Sequence, residues 1–319
     1  MSRKILNKPR ALVLGGSGFV GQNLQKSALL EEFEVLNLDL NATPEHTKNI
    51  NWGEILGNAA DANFLSTVLS DFRPALLFHL AANSDIKSGQ TGNLDLKYTL
   101  NTTLALSEAL KVYPVDTVVF ASSSAVFGEK RLNGTTLNSL NVPISAYGIA
   151  KLASEKILDS SFFSGAIQKL LTVRFPNVVG EHMTHGLIYD LTSKYIMNRS
   201  IIEVLGDGSQ EKPYMLATDL LESIFRVIPA FKGKLLVELG PSDTINVKSI
   251  VDIFLKALPT KPAVTFGSSS VGWEGDVNKY AVDISLISEV LKDFKIRSSE
   301  DSIKTAVTAH LKERLWHDQ

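Results

Sequence analysis

Ala11-Leu12-Val13-Leu14-Gly15-Gly16-Ser17-Gly18-Phe19-Val20-Gly21 decides the fold. The run Ala11–Leu14 is short, apolar and ended by glycine, as a strand buried on both faces of a parallel sheet should be. Behind the glycines a helical pattern runs through Leu24, Ala28 and Leu29. Gly16, Gly18 and Gly21 match G-x-G-x-x-G, and Gly15, Gly18 and Gly21 match the G-x-x-G-x-x-G variant. Such glycines let a tight turn bring backbone N–H groups and a helix N-terminus up to a pyrophosphate. Glycine-rich turns also serve geometry alone, so the weight lies in the strand–turn–helix context, which is present.

Working outward, Glu34–Asp39 reads as a second strand ending in a carboxylate, 24 positions after Gly15. That is near the spacing of about 20 for the acid that bonds the adenosine ribose. A carboxylate there repels a 2′-phosphate, and no arginine follows nearby, so NAD is expected rather than NADP. Ala75–Leu80 is another buried run, ending in the small pair Ala81-Ala82. A helix over Leu94–Val112 leads to a strand over Asp116–Ala121, with Ser122-Ser123-Ser124 at its carboxyl end, where open parallel sheets place their chemistry. Ser145 is an N-cap for a helix carrying Tyr147 and Lys151 one turn apart on one face. An ammonium beside a phenol lowers the phenol pKa toward working pH, making Tyr147 a general acid/base candidate for interconverting an alcohol and a ketone. Most tyrosine–lysine pairs at this spacing are surface pairs; the surrounding motifs set this one apart. A further strand, Leu170–Phe175, keeps the strand–helix alternation of a doubly wound parallel sheet, an α/β Rossmann-type fold. Beyond it the rhythm changes. Residues 1–178, rejoined by 212–240, are expected to form the NAD-binding domain. Residues 179–211 and 241–319 are expected to form a smaller C-terminal substrate-binding lobe; helices are expected near Thr218–Val227, in the returning segment, and near Val247–Ala257, Ser285–Leu291 and Asp301–Leu315.

Composition narrows the possibilities. The 319 residues carry a net charge of −2, so no basic surface argues for nucleic acid or an anionic membrane. No apolar run is long enough to span a bilayer. With no cysteine there is no disulfide and no thiolate ligand, and a cytoplasmic setting is expected. His182 and His185 flank Met183-Thr184, but no third ligand stands near them in sequence, so no metal is expected.

Assembled in this order, the stretches Gly15–Gly21, Asp39, His79–Ala82, Ser122–Gly128, Tyr147…Lys151, Arg174–Gly180, Gly206–Gln210, Asp219 and Gly275–Val277 resemble the extended short-chain dehydrogenase/reductase family, in its nucleotide-sugar epimerase and dehydratase branch. The likeness covers nearly the whole chain. It implies a Ser–Tyr–Lys site, tightly held NAD, oxidation of a nucleotide-diphosphate sugar at C4, a place in polysaccharide biosynthesis, and a homodimer packed through the helices at Leu94–Val112 and Ser145–Leu158. By resemblance Ser123, Tyr147 and Lys151 are catalytic: Tyr147 takes the C4 hydroxyl proton, Ser123 bonds the same oxygen, and Lys151 bonds the nicotinamide ribose. Gly15, Gly18, Phe19, Val20, Gly21, Asp39, Asp61, Leu80, Ala81, Ala82, Thr99 and Pro176 are expected on the cofactor, together with Tyr147 and Lys151. Ser84, Lys87, Ser123, Ser124, Asn177, His185, Lys212, Trp273 and Asp276 are expected on the substrate.

The departures from the family pattern are specific. Ser124 and Ala125 stand where 4,6-dehydratases carry Asp-Glu, so elimination of water lacks its acid and base. Phe127 replaces a tyrosine and Thr99 an asparagine. Lys212 replaces a diphosphate-binding arginine, and Trp273-Glu274 replaces Arg-Pro; losing two guanidinium forks alters diphosphate recognition. Trp273 stacks on a base or sugar, or simply packs. A 4-epimerase is the leading expectation. A net C4 dehydrogenase or 4-keto reductase uses the same three residues, and a non-catalytic NAD-binding module would have no reason to keep them together.

Overall fold

The computed structural model describes residues 8–83, 94–130, 141–270 and 277–315. Strand β1 (Arg10–Leu14) enters the glycine turn and helix α1 (Phe19–Lys26), then β2 (Glu34–Asp39) and β3 (Gly53–Leu56) follow. Helix α2 (Ala62–Phe72) starts at Asp61, whose carboxylate accepts from the Asn63 and Phe64 N–H groups, and ends at Arg73 in the left-handed region before Pro74. β4 (Leu76–His79) precedes a single π-helical turn, Leu96–Leu100, that runs straight into α3 (Asn101–Val112). β5 (Val115–Ala121), α4 (Ala146–Phe163) and β6 (Ile167–Arg174) complete the alternation, and Ser145 caps α4 by accepting from Gly148 N–H at 3.1 Å.

After β6 the chain builds a second layer: β7 (Asn177–Val179), α5 (Leu187–Met197), β8 (Ile201–Val204), β9 (Glu211–Lys212) and β10 (Tyr214–Leu216). Helix α6 (Ala217–Val227) and β11 (Lys234–Glu238) then return to the main sheet. β12 (Ile245–Asn246), α7 (Val247–Ala257), β13 (Ala263–Phe266) and α8 (Ser299–Leu315) finish the described chain.

The main sheet has seven strands, all parallel, in the order β11-β6-β5-β4-β1-β2-β3. This is the strand order of a Rossmann-type sheet, the fold class expected from the sequence, with β11 added at the far edge. The period of two along each strand sorts its side chains into two cores. Ala11, Val13, Phe78, Val119 and Leu171 face one side, with α6; Leu12, Leu14, Leu77, Val118 and Phe120 face the other, with α2 and α3. A third cluster holds the second layer, uniting Val179, Ile188, Tyr195, Tyr214, Phe254 and Val307.

Three local expectations change. β3 falls in a stretch too weakly patterned to mark a strand, because it is an edge strand with half-exposed side chains. The helix expected over Ser285–Leu291 shrinks to one 3₁₀ turn, Ser285–Ile287. And residues 284–296, grouped by sequence with the lobe, pack Ile287 and Leu291 into the first sheet core, with Ile284, Phe294 and Ile296 against it. Asp219 at the start of α6 anchors that return: it is 3% exposed, accepts from Arg297 N–H at 3.0 Å and pairs with the Arg297 guanidinium.

Candidate active site

The carboxyl ends of β1, β2, β4, β5 and β6 open into one cleft of about 810 Å³. The glycine turn forms its floor. Gly15 has φ +88°, and a Cβ there would sit 2.6 Å from Ala81 N, so β1 and β4 touch backbone to backbone. A Cβ on Gly21 would lie 2.4 Å from Gly16 Cα, which is how α1 closes onto the turn. Asn37, buried on β2, accepts from Gly16 N–H at 2.9 Å and donates to Ser17 Oγ at 3.0 Å, fixing the loop from below. The N-cap of α1, Gly18, has no side-chain cap, and Gly18, Phe19, Val20 and Gly21 line the cleft. An uncapped helix N-terminus held open by glycines suits a diphosphate.

Asp39 ends β2 on the cleft wall, its Oδ2 accepting from Ser17 N–H at 2.9 Å and its Oδ1 from Asn41 N–H at 3.1 Å. Leu80, Ala81 and Ala82 line the cleft past β4, and Pro176 past β6. These residues fit NAD, which one of the structures reported below contains.

Two residues expected on the cofactor, Asp61 and Thr99, do not line the cleft. The Asp61 carboxylate is used in capping α2, and the residues facing the cavity at the end of β3 are Asn58 and Ala59. Thr99 is fully buried and accepts from Asn83 N–H at 3.0 Å; the cleft is lined instead by its neighbours Tyr98 and Thr102, with Asn83. Tyr98 and Thr102, four apart, share the face of the helix that lines the cleft.

Ser123, Ser124, Tyr147 and Lys151 meet at the carboxyl end of β5. A hydrogen bond joins the Ser123 and Tyr147 side chains. Lys151 Nζ donates to Ala121 O at 2.6 Å and lies 5.7 Å from the centre of the Tyr147 ring and 5.0 Å from that of Phe120. One turn further along α4, Glu155 receives the Arg174 guanidinium through two bonds of 2.6 and 2.8 Å and accepts from Ser122 Oγ at 2.5 Å. Both side chains of this pair are at most 2% exposed. The pair ties α4, which carries Tyr147 and Lys151, to β6, and the Ser122 bond ties it to the end of β5 beside Ser123.

The electrostatics differ from the sequence expectation. Burial pushes the Tyr147 phenol above its usual value; the Ser123 hydrogen bond opposes this, and the Asp95 charge adds to it. Burial likewise pulls the Lys151 ammonium down to about 7, against support from Glu155 and Asp95. Proximity of the two side chains was legible along the helix, but their desolvation was not, and here desolvation outweighs the mutual effect. Asp95 itself is fully buried and accepts from Asn83 Nδ2 at 3.0 Å. Beneath the site His79 is held neutral by burial, its pKa about 3, with Nε2 2.9 Å from Thr103 Oγ1.

The cleft is also lined by Asn177, His185 and Lys212, all expected on the substrate, and by Met183, Leu187 and Tyr214, which sequence reasoning missed. The missed residues come from the second layer, where no motif marks them. Ser84, Lys87, Trp273 and Asp276 lie outside the described residues.

Comparison with known proteins agrees with this geometry. The model of the "NAD dependent epimerase/dehydratase family" matches residues 11–239. A Bacillus subtilis (strain 168) protein described as an uncharacterized UDP-glucose epimerase, YtcB, is 26% identical over 312 residues, covering 93% of this chain and 96% of its own. A UDP-glucose 4-epimerase of Lacticaseibacillus casei is 31% identical over 173 residues, 53% of this chain and 51% of its own. Among solved structures, a UDP-galactose 4-epimerase superposes with a TM-score of 0.84 at 26% identity, covering 96% of this chain and 100% of that one. MoeE5 in complex with UDP-glucose and NAD gives 0.81 at 25%, covering 95% and 99%. From the glycine turn through β11, in sequence and in three dimensions, this chain belongs to the NAD-dependent epimerase/dehydratase family, within the extended short-chain dehydrogenases/reductases.

Proposed function

We propose that the protein is a 4-epimerase of nucleotide-diphosphate sugars. The observation that carries this reading is the gathering of Ser123, Tyr147 and Lys151 at one point of a cleft whose other end fits NAD. Bound NAD supplies the hydride acceptor and donor. Tyr147, beside Ser123, would take and return the proton of the C4 hydroxyl as phenolate; burial alone disfavours that form, and the positive nicotinamide charge that NAD would bring would favour it. Ser123 fixes the oxygen on which that proton moves, and Lys151 orients the cofactor ribose from the same helix. Ser124 and Ala125 follow Ser123 with no carboxylate between them, so the site has no acid–base pair there for eliminating water across C5 and C6. The relatives described as UDP-glucose and UDP-galactose epimerases support the sugar-nucleotide class.

The second layer, with α5, α7 and α8, forms the sugar-side lobe in this reading, with Asn177, His185 and Lys212 on the substrate. The chain acts as a homodimer: α3 and α4 leave Leu104 (44%), Val112 (64%), Ile149 (54%) and Phe163 (74%) exposed, the helices through which the family resemblance implies pairing. The cysteine-free sequence accords with a cytoplasmic enzyme feeding polysaccharide synthesis. The test is incubation of the purified protein with UDP-, GDP- and dTDP-hexoses, with product sugars resolved by NMR. A C4 epimer formed without accumulation of NADH is the expected result. Absence of an epimer from every donor would remove the reading, and a released 4-keto product with accumulating NADH would replace it with a net dehydrogenase.

A further inference from the structure

Outside the lining of the cleft, three side chains distant in sequence converge. His46 comes from the loop between β2 and β3, His182 from the loop after β7, and Glu313 from the last turn of α8. One ligand atom from each lies within 4.8 Å of the other two. His182 Nδ1 is 3.0 Å from Glu313 Oε1, and His46 Nε2 is 4.0 Å from the same oxygen. The two imidazoles meet edge to face, with ring centres 5.6 Å apart. Glu313 is oriented through its other oxygen, Oε2, which accepts from His182 N–H at 3.1 Å. The far nitrogen of His182, Nε2, has the Glu181 carboxylate 3.8 Å away, in the place of the outer carboxylate that commonly holds the second N–H of a metal-binding histidine.

A second, independent observation points into the same cluster. His310, one turn before Glu313 on α8, is fully buried, and neither ring nitrogen has a hydrogen-bond partner among the described residues. Its Nδ1 sits 3.8 Å from Glu313 Oε2. A buried imidazole without a bond to either nitrogen is costly unless something polar completes it.

We propose that His46, His182 and Glu313, with His310 at its edge, form a binding site for one zinc-class divalent cation. Two or three imidazoles with one carboxylate select zinc and its transition-metal neighbours over calcium or magnesium, which prefer all-oxygen shells. Ligands about 2.0–2.2 Å from a tetrahedral ion stand roughly 3.3–3.5 Å apart, between the separations of 3.0 and 4.0 Å given above. His46, with 65% of its side chain exposed, is the member that closes the small gap. The role is structural. His182 immediately precedes Met183, Thr184 and His185, all of which line the cleft, so an ion here staples that wall to α8 and to the loop after β2. The reading that His182 and His185 could bind no metal for want of a third ligand holds only along the sequence; the fold turns His185 to the cleft and brings His46 and Glu313 to His182 instead.

The test needs no sugar substrate, so it stands apart from the epimerase reading. Untagged, chelator-stripped protein is titrated with Zn²⁺ by calorimetry and with Co²⁺ by visible absorption. About one ion per chain, tetrahedral-type cobalt bands and a higher Tm with Zn²⁺ are expected, since an ion that binds only the folded state stabilises it. Glu313→Gln should abolish the cobalt bands. His46→Ala, on an exposed side chain that leaves the core intact, should weaken Zn²⁺ at least about tenfold. Wild-type protein that takes up no ion, or takes it up as tightly after His46→Ala, would overturn the proposal and leave the cluster a histidine–carboxylate network.

Discussion

At the residue scale the decisive pair is Tyr147 and Lys151, and what governs both is removal from water. Lys151 leaves the ammonium form near pH 7 when folded, against 10.5 as the ordinary value. Between those pH values the unfolded chain therefore binds the extra proton, and stability rises with pH across that window. Denaturant unfolding of the cofactor-free protein at pH 7, 8 and 9 should show this rise. Lys151→Met should flatten it, by up to about 1 kcal/mol per pH unit. Tyr147→Phe keeps the ring in its packing and removes the proton carrier. Turnover of the sugar substrate should fall by about 10²–10⁴-fold while NAD affinity, read by calorimetry, stays near wild type. The positions of Ser123, Tyr147 and Lys151 were legible because each sits at a locally encoded place, a strand end or one helical turn. Their pKa shifts were not, because burial is a property of everything packed above them.

At the scale of elements, α4 and β6 are held together by an ion pair in a dry place. Glu155 and Arg174 are nearly inaccessible, and the Arg174 guanidinium also donates to Asn141 Oδ1 at 2.9 Å and covers the Phe127 ring at 4.7 Å. Removing one partner strands the other charge. Glu155→Gln should lower unfolding free energy by about 3–5 kcal/mol in a urea titration. It should also depress the Lys151 pKa further, since the Glu155 charge supports that ammonium; the pH window of the stability rise would then begin lower. The family pattern marked Arg174 in sequence without saying what it touches. The π turn before α3 is the opposite case. Near it Tyr98 and Thr102 line the cleft and Thr99 does not, and no feature of the apolar pattern over 94–112 distinguishes the turn from a regular helix.

At the scale of the whole molecule, the apolar residues left on α3 and α4 bear on assembly. If those helices pair between subunits, a charge placed on each should separate them. Leu104→Glu combined with Phe163→Glu is expected to convert a dimer into a folded monomer by light scattering, with the far-UV CD spectrum unchanged. A wild-type protein that already runs as a monomer would refute the pairing. Packing at this scale also reassigns segments: residues 284–296 lie on the first sheet core although they follow the lobe in the chain, held there by Ile287, Leu291 and the Asp219–Arg297 pair.

The sequence by itself determined the parallel sheet, the glycine turn, the carboxylate at the end of β2, and the places of Ser123 at a strand end and of Tyr147 and Lys151 on one helix face. Each is written in a short window whose spacing is set by the period of a strand or a helix. Only the tertiary structure decided that Asp61 caps a helix, that Asn58 faces the cleft, and that His46, His182 and Glu313 meet. Those facts depend on contacts between residues far apart along the chain, and no local period carries them.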